Sequence, residues 1–335
     1  MYHSKISGLG YYVPENVVTN ADLSKIMDTS DEWIQERTGI KERRHIVRGE
    51  DTTTSMGIKA AKIAIERSGV SNDEIDFIVF ATISPDYYFP GPGVAIQNEL
   101  GLRTIGALDV RNQCSGFIYA LSVADQYIKT GMYKNILVVA SEVQSLGLDM
   151  TNRGRGVSVI FGDGAGAAIL IRDEDISKGI LSTHLHSEGK YAQELALLAP
   201  GMGGRWVTDI LADNNLDDES YFPHMNGQLV FKNAVVRFSE VINEGLQANN
   251  LQISDIDMLI PHQANLRISQ FIQQKFNLSD DKVFNNIQKY GNTTAASIPI
   301  ALTEAWELGK IKEGDTVVLA AFGSGFTWAS AIIKW

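Results

Sequence analysis

Cys114 is the single cysteine among 335 residues, and its setting gives it chemical possibilities. It follows the apolar run Ile105-Gly-Ala-Leu-Asp-Val110 and precedes Ser115-Gly-Phe-Ile-Tyr-Ala-Leu-Ser-Val-Ala-Asp-Gln-Tyr-Ile128, whose apolar residues recur at helical spacing. A cysteine at such a strand-to-helix turn meets free backbone N–H groups and the positive end of the helix dipole. A thiolate is stabilised there, and its pKa is expected below the ordinary value of about 8.5. The other fate of a lone cysteine is a small buried apolar side chain, and position alone does not separate the two.

The second half of the chain supplies what a nucleophilic thiol needs. Ile256-Asp-Met-Leu-Ile260 reads as a strand, and Pro261-His262-Gln-Ala-Asn265-Leu-Arg267 leaves its carboxyl end before a helix over 266–276. Taken alone, His262 reads as a hydrogen-bonded core histidine. Asn292, in Tyr290-Gly-Asn292-Thr-Thr-Ala-Ala-Ser297, precedes another helix and lies at nearly the matching end of this half. Phe322-Gly-Ser324-Gly-Phe326 closes the apolar run 316–321, where backbone N–H groups can face an oxyanion. Gly162-Asp-Gly-Ala-Gly166 has neither the Lys-Ser/Thr of a phosphate loop nor dinucleotide spacing, and reads as a tight structural turn. His184 and His186 alternate as on a strand with no third ligand or carboxylate motif beside them, so no metal site is expected.

Elements that hold such groups are legible as a pattern. Val- and Ile-rich runs such as Phe77-Ile-Val-Phe-Ala81 and Ile136-Leu-Val-Val-Ala140, separated by helical stretches, predict α/β architecture with strands covered on both faces. The pattern also repeats: Ile75 and Ile256, Ala120 and Ala301, Asn135 and Thr316 head similar segments at one offset (256 − 75 = 181). Two similar halves, 1–175 and 176–335, are expected around one interface, where ligands bind in α/β folds. The Gly-, Asn- and Asp-rich stretch 201–220 lacks a sustained period and reads as a long surface loop or lid, an insertion near 200–222.

Composition excludes several classes. With 44% hydrophobic residues the chain can bury a large core, and 29 Lys+Arg against 40 Asp+Glu, a net charge of −11, argues against a nucleic-acid binder. An acidic partner must then meet a confined basic patch. One cysteine forms neither an intramolecular disulfide nor a thiolate zinc cluster, which favours a reducing compartment. The apolar runs are far shorter than the roughly 20 residues of a membrane helix, and no secretory signal is visible, so a cytoplasmic protein is expected.

Beyond these readings, the chain closely resembles the β-ketoacyl-acyl carrier protein synthase III family of the thiolase superfamily. The resemblance rests on Asp31-Glu-Trp-Ile34 with Arg37-Thr-Gly-Ile40, Cys114-Ser-Gly-Phe117, Phe161-Gly-Asp-Gly-Ala-Gly166, Pro261-His-Gln-Ala-Asn-Leu-Arg267, Gly291-Asn-Thr293 and Phe326-Thr-Trp328. It implies a five-layered αβαβα sandwich of two duplicated halves, a homodimer, and a triad of Cys114, His262 and Asn292. It implies an acyl-CoA primer loaded on Cys114, with an oxyanion held by the backbone N–H groups of Cys114 and Ser324, and condensation with malonyl-acyl carrier protein as CO₂ is lost. No metal or redox cofactor is implied. Trp33, Arg37, Asn265 and one of Arg153 and Arg155 would hold coenzyme A, Phe89 would bound the acyl pocket, and Lys232, Gln263 and Arg267 would meet the carrier protein. Arg111-Asn-Gln113 replaces small apolar residues common before the nucleophile, the 201–220 loop is longer than in compact members, and Ser324 interrupts a Gly-rich turn. These departures leave primer length open. The alternative activity is an acyltransferase or thioesterase of secondary metabolism on the same fold, with a medium or long acyl donor.

Overall fold

Strands and helices alternate along the chain as the apolar runs predict. The computed structural model describes residues 2–213 and 217–335. In chain order the principal elements are β1 (His3–Tyr12), α1 (Asp31–Thr38), α2 (Thr53–Ser68), β2 (Phe77–Ala81), β3 (Gly106–Val110), α3 (Gly116–Lys129), β4 (Asn135–Glu142) and β5 (Gly164–Asp173). They continue as β6 (Gly179–Ser187), α4 (Val207–Asp213), α5 (Gly227–Ala248), β7 (Met258–Pro261), α6 (Leu266–Lys275), α7 (Ser297–Glu307), β8 (Thr316–Gly323) and β9 (Thr327–Lys334).

The first sheet has the order β1-β5-β4-β2-β3 and the second β7-β8-β9-β6. In each, a parallel core (β4, β2 and β3; β7 and β8) is extended by antiparallel strands. The counterpart of β3 in the second sheet shrinks to a single parallel bridge, Leu259 with Val283. β4 is buried at every position after its first and β8 throughout, which is why both read as continuous apolar runs rather than alternating ones.

Layering follows from which helices are apolar all round. α3 and α7 bury residues on every face, Ser297 to Ala305 without a break in α7, and the two fill the space between the sheets. α2 is amphipathic and covers the outer face of the first sheet, while α5 and α6 cover the second. The result is five layers, helix, sheet, helix, sheet, helix. Thr52 caps α2 by accepting from the Ser55 N–H, and Gly69 ends it at φ 71°.

The offset noted in the sequence recurs in three dimensions. The 3₁₀ turns Asn72–Glu74 and Ile253–Asp255, strands β2 and β7, the 3₁₀ turns Gln113–Ser115 and Thr294–Ala296, helices α3 and α7, and strands β4 and β8 each begin at that same spacing.

Two segments differ from their expected form. Gly162-Asp-Gly-Ala-Gly166 is mostly the start of β5 rather than a turn, because Asp163 accepts hydrogen bonds from the N–H groups of Ile46, Gln144 and Ser145 and so draws the strand's start against its neighbours. The 201–220 stretch is not a bare loop: it forms α4 and the 3₁₀ turn Glu219–Tyr221, with residues 214–216 outside the described ones. Arg205 pairs with Asp218 at 2.7 Å and Trp206 packs edge-on against Tyr88, contacts that no local period encodes. Among the described residues no helix is long and apolar enough to cross a membrane.

Candidate active site

Cys114 stands on the 3₁₀ turn Gln113–Ser115 that leads into α3, and Gln113 holds a left-handed backbone conformation, φ 47°. Thr294, at the matching place in the second half, has φ 48°. The turn that lifts the cysteine is thus duplicated, and the second copy faces the first. The β8–β9 hairpin closes over the thiol from the other half: Ser115 Oγ and Thr327 Oγ1 are 2.6 Å apart, and the N–H groups of Ser324 and Cys114 point to the sulfur. A side chain at Gly323 would place its Cβ 2.6 Å from Cys114 Cβ and 3.0 Å from Sγ, so this close approach needs glycine.

The thiol itself corrects an expectation. Cys114 is 6% exposed, and burial, followed by the nearby Glu142 carboxylate, pushes its pKa up to about 12. The N–H groups of Ser324 and Cys114 do favour the thiolate, as the turn position implied, but loss of hydration outweighs them. The resting site holds a neutral thiol.

His262 follows β7 and is buried; loss of hydration pushes its pKa down to about 3, so the ring is neutral. Its Nδ1 lies 2.6 Å from Ser297 Oγ, while Nε2 has no hydrogen-bond partner among the described residues. Ser297 Oγ also accepts from the Gln263 N–H, and when its own proton goes to Nδ1 the imidazole proton lies on Nε2. Ser297 begins α7 at the place that Gly116 holds in α3. Sequence reasoning gave it no role; its signal was a hydroxyl at a helix start in the half that carries the histidine. Asn292 is buried, and its Oδ1 accepts from the Thr294 N–H, which turns the donor end, Nδ2, the other way.

Cys114, His262 and Asn292 line one cavity of about 670 Å³, with Gly323 and Phe322 beside them and Phe231, Ala234 and Phe238 of α5 forming an apolar wall. Its mouth is ringed by Trp33, Arg37, Asn265 and Arg267. The Arg37 guanidinium lies 4.5 Å over the Trp33 ring and that of Arg155 5.4 Å from it. Arg153 instead pairs with Asp149 and Asp217, which ties it to the loop before α5. Asn265 caps α6 and donates to the Arg37 carbonyl, joining α6 to α1. Arg43, wholly buried, donates to Val18, Asn20 and the carbonyl of Val159 on the cavity wall; sequence reasoning passed over it because a buried cation has no periodic signature.

Several expected positions fall elsewhere. Gln263 is 3% exposed and clamps the backbone, donating to the Pro261 carbonyl and accepting from the N–H groups of Asn286 and Ile287, so it cannot meet a carrier protein. Phe89 is 80% exposed and lies outside this chain's cavity, because the loop after β2 carries it outward with Tyr87 and Tyr88. Lys232 and Arg267 are exposed, on α5 and α6. Ser324 donates its hydroxyl to the Leu195 carbonyl, which steadies the turn. His184 and His186 do have a carboxylate beside them, Glu244 of α5, at 3.4 and 2.6 Å.

Known proteins share this architecture across the whole chain. The 3-oxoacyl-[acyl-carrier-protein] synthase III family model matches residues 108–189, and the model of its C-terminal part matches 246–335. The β-ketoacyl-[acyl-carrier-protein] synthase III of Escherichia coli strain K12 is 48% identical over 332 residues, 99% of each chain. The crystal structure of 3-oxoacyl-[acyl-carrier-protein] synthase III from Aquifex aeolicus superposes with a TM-score of 0.90 at 42% identity, covering 99% of this chain and 100% of that one. The enzyme from Thermus thermophilus superposes at 0.89 and 38% identity, with 99% of both chains covered. Fold and likeness together define a thiolase-fold acyltransferase of the condensing type. Within that class, the chain belongs to the β-ketoacyl-[acyl-carrier-protein] synthase III family.

Proposed function

We propose that this chain takes an acyl group from an acyl-CoA onto Cys114 and condenses it with malonyl-acyl carrier protein, releasing CO₂ and a β-ketoacyl-acyl carrier protein for fatty-acid synthesis. The observation that carries this reading is the meeting of Cys114, His262 and Asn292 in one apolar cavity. In the first stage the Cys114 sulfur attacks the thioester carbonyl, the N–H groups of Cys114 and Ser324 take the developing oxyanion, and coenzyme A leaves with the thiol proton. In the second, the malonyl thioester carbonyl accepts hydrogen bonds from His262 Nε2 and Asn292 Nδ2. Loss of CO₂ puts the electron pair into an enolate whose charge falls on that oxygen, so two fixed donors lower the barrier. The enolate carbon then attacks the acyl-Cys114 carbonyl, and the thiolate leaves. A neutral histidine suits this step, since it donates without needing a proton from solvent.

Around that centre, Trp33 with Arg37 and Arg155 supplies an aromatic face and two cations for the nucleotide end of coenzyme A, with Asn265 beside them at the mouth. Both arginines are ion-paired, Arg155 with Asp28 and Arg153 with Asp149 and Asp217, and it is the place of Arg155 over the Trp33 ring that favours it. Lys232 and Arg267 offer exposed cations to an acidic carrier protein. The chain reads as two duplicated halves, 1–175 and 176–335, supported by five element pairs at one spacing. A homodimer through β3 fits the same reading: β3 is the outermost strand of its sheet, exposes Leu108, and belongs to the half that projects Tyr87, Tyr88 and Phe89. Phe89 then bounds an acyl pocket only through the second copy. A free thiol as the sole cysteine agrees with the cytoplasm.

Intact mass spectrometry after incubation with acyl-CoAs of several lengths tests the reading. The acyl mass is expected on wild type and absent from Cys114→Ala, whereas His262→Ala and Asn292→Ala still load but lose CO₂ release from malonyl-acyl carrier protein. Acyl-CoA consumption by wild type without CO₂ release would overturn it in favour of a hydrolase or a simple acyl transfer.

A further inference from the structure

Two buried hydroxyls meet where the halves join beside the thiol, and no step above uses them. Ser115 follows Cys114 on its 3₁₀ turn, and Thr327 begins β9 opposite Gly323 of β8. Both are buried, and their oxygens lie 2.6 Å apart across 212 residues of chain. Thr327 Oγ1 also donates to the Ser324 carbonyl at 3.1 Å. A hydroxyl carries one proton, so when Thr327 donates to that carbonyl the proton between the two oxygens comes from Ser115. The other acceptor within reach of Ser115, the Asn112 carbonyl, is farther away at 3.5 Å.

Ser324 is thereby held at three atoms. Its N–H points to the Cys114 sulfur, its hydroxyl donates to the Leu195 carbonyl, and its own carbonyl accepts from Thr327. The far side of the hairpin is tied through backbone, the Glu188 N–H to the Phe326 carbonyl at 2.8 Å and the Phe326 N–H to that of Glu188 at 3.1 Å. On the near side, among the described residues, Ser115 with Thr327 is the one bond between two polar side chains that joins the hairpin to the Gln113–Ser115 turn. Packing alone does not call for hydroxyls here, since apolar groups of the same shape in place of both partners of a buried hydrogen bond cost little. The place that matches Ser115 in the turn of the second half is Ala296. The hydroxyl belongs to the turn that carries the thiol.

We propose that Ser115 and Thr327 are positioning residues for acyl transfer: their linked hydroxyls fix the hairpin so that the Ser324 N–H stands where the thioester oxygen gains charge. The inference rests on the proposed loading of Cys114 by an acyl-CoA. A donor fixed in advance stabilises the oxyanion without reorganisation, and the gain appears in the transition state rather than in binding of the thioester. Alkylation of the same thiol by iodoacetamide displaces iodide from a saturated carbon and develops no oxyanion. It makes no use of this donor.

Intact mass spectrometry reads both reactions, acyl loading over a range of acyl-CoA concentrations and alkylation by iodoacetamide. Thr327→Val is expected to load about 10- to 100-fold more slowly at saturating acyl-CoA, with the half-saturating concentration and the alkylation rate of wild type. Thr327→Ser, which keeps the hydroxyl, restores loading. Ser115→Ala loses less, because Thr327 still reaches the Ser324 carbonyl, and the double variant Ser115→Ala/Thr327→Val loses no more than Thr327→Val alone. Wild-type loading by Thr327→Val would overturn the proposal, and so would loading and alkylation that fall together in both single variants, the mark of a general loosening. Should Thr327→Val fail to fold, Ser115→Ala decides alone: slower loading with unchanged alkylation supports the proposal, and wild-type loading overturns it. A wild type that alkylates but accepts no acyl group from any acyl-CoA would sink the loading reading itself, an outcome seen before any variant is compared.

Discussion

A neutral imidazole donates through one nitrogen only, and in this site Ser297 decides which. When its hydroxyl, 2.6 Å from Nδ1, donates to that nitrogen, the imidazole proton lies on Nε2, which has no hydrogen-bond partner among the described residues. Ser297→Ala frees the tautomer, and condensation is expected to fall about 10- to 100-fold while acyl loading of Cys114 stays near wild type. Parallel measurement of CO₂ release and acyl-enzyme mass checks this, because equal losses in both would mean that Ser297 only holds the fold. Of the groups at this scale, Cys114, His262 and Asn292 were legible from residue type and motif. Ser297 and Arg43 were not, because their roles consist of contacts across 35 and 116 residues of chain.

At the scale of elements, the turn that carries Cys114 and the β8–β9 hairpin that closes over it work as one device. The sulfur is presented by the start of α3, and the hairpin of the other half brings the Ser324 N–H to it. The approach is too close for any side chain at position 323. Gly323→Ala is therefore expected to cost about 1–3 kcal/mol of stability and to cut acyl loading of Cys114 at least 100-fold, as the hairpin must move away from the thiol. Thermal unfolding together with the mass assay checks both effects, and normal loading by a destabilised variant would contradict the shared geometry. The helix-start argument was right about which groups meet the sulfur and wrong about the balance, since a sequence does not reveal how completely the hairpin excludes water.

Across the whole molecule, two copies of one strand-helix-strand unit set their inner helices α3 and α7 side by side, so each half contributes what the other lacks. The first half holds the thiol, the second the imidazole and the amide. The outer edge strand β3 remains open in a single chain, beside exposed aromatics. On the proposed dimer, Leu108→Glu is expected to give a monomer in light scattering and, because Phe89 of a second copy would then no longer bound the acyl pocket, to broaden the range of acyl-CoAs that load. A variant that remains dimeric would place the interface elsewhere.

The sequence by itself determined the α/β class, the two-fold repeat, the lone thiol at a helix start and the motifs around His262 and Asn292, because periodicity, offset and residue type are local properties. Tertiary structure alone decided that Gln263 is a buried clamp, that Phe89 faces away from its own cavity, that Arg155 rather than Arg153 shares the Trp33 ring, and that part of 201–220 is helical. It also decided the charge state of the site. Burial of Cys114 and His262 sets that state, and a one-dimensional pattern does not carry the depth of a group.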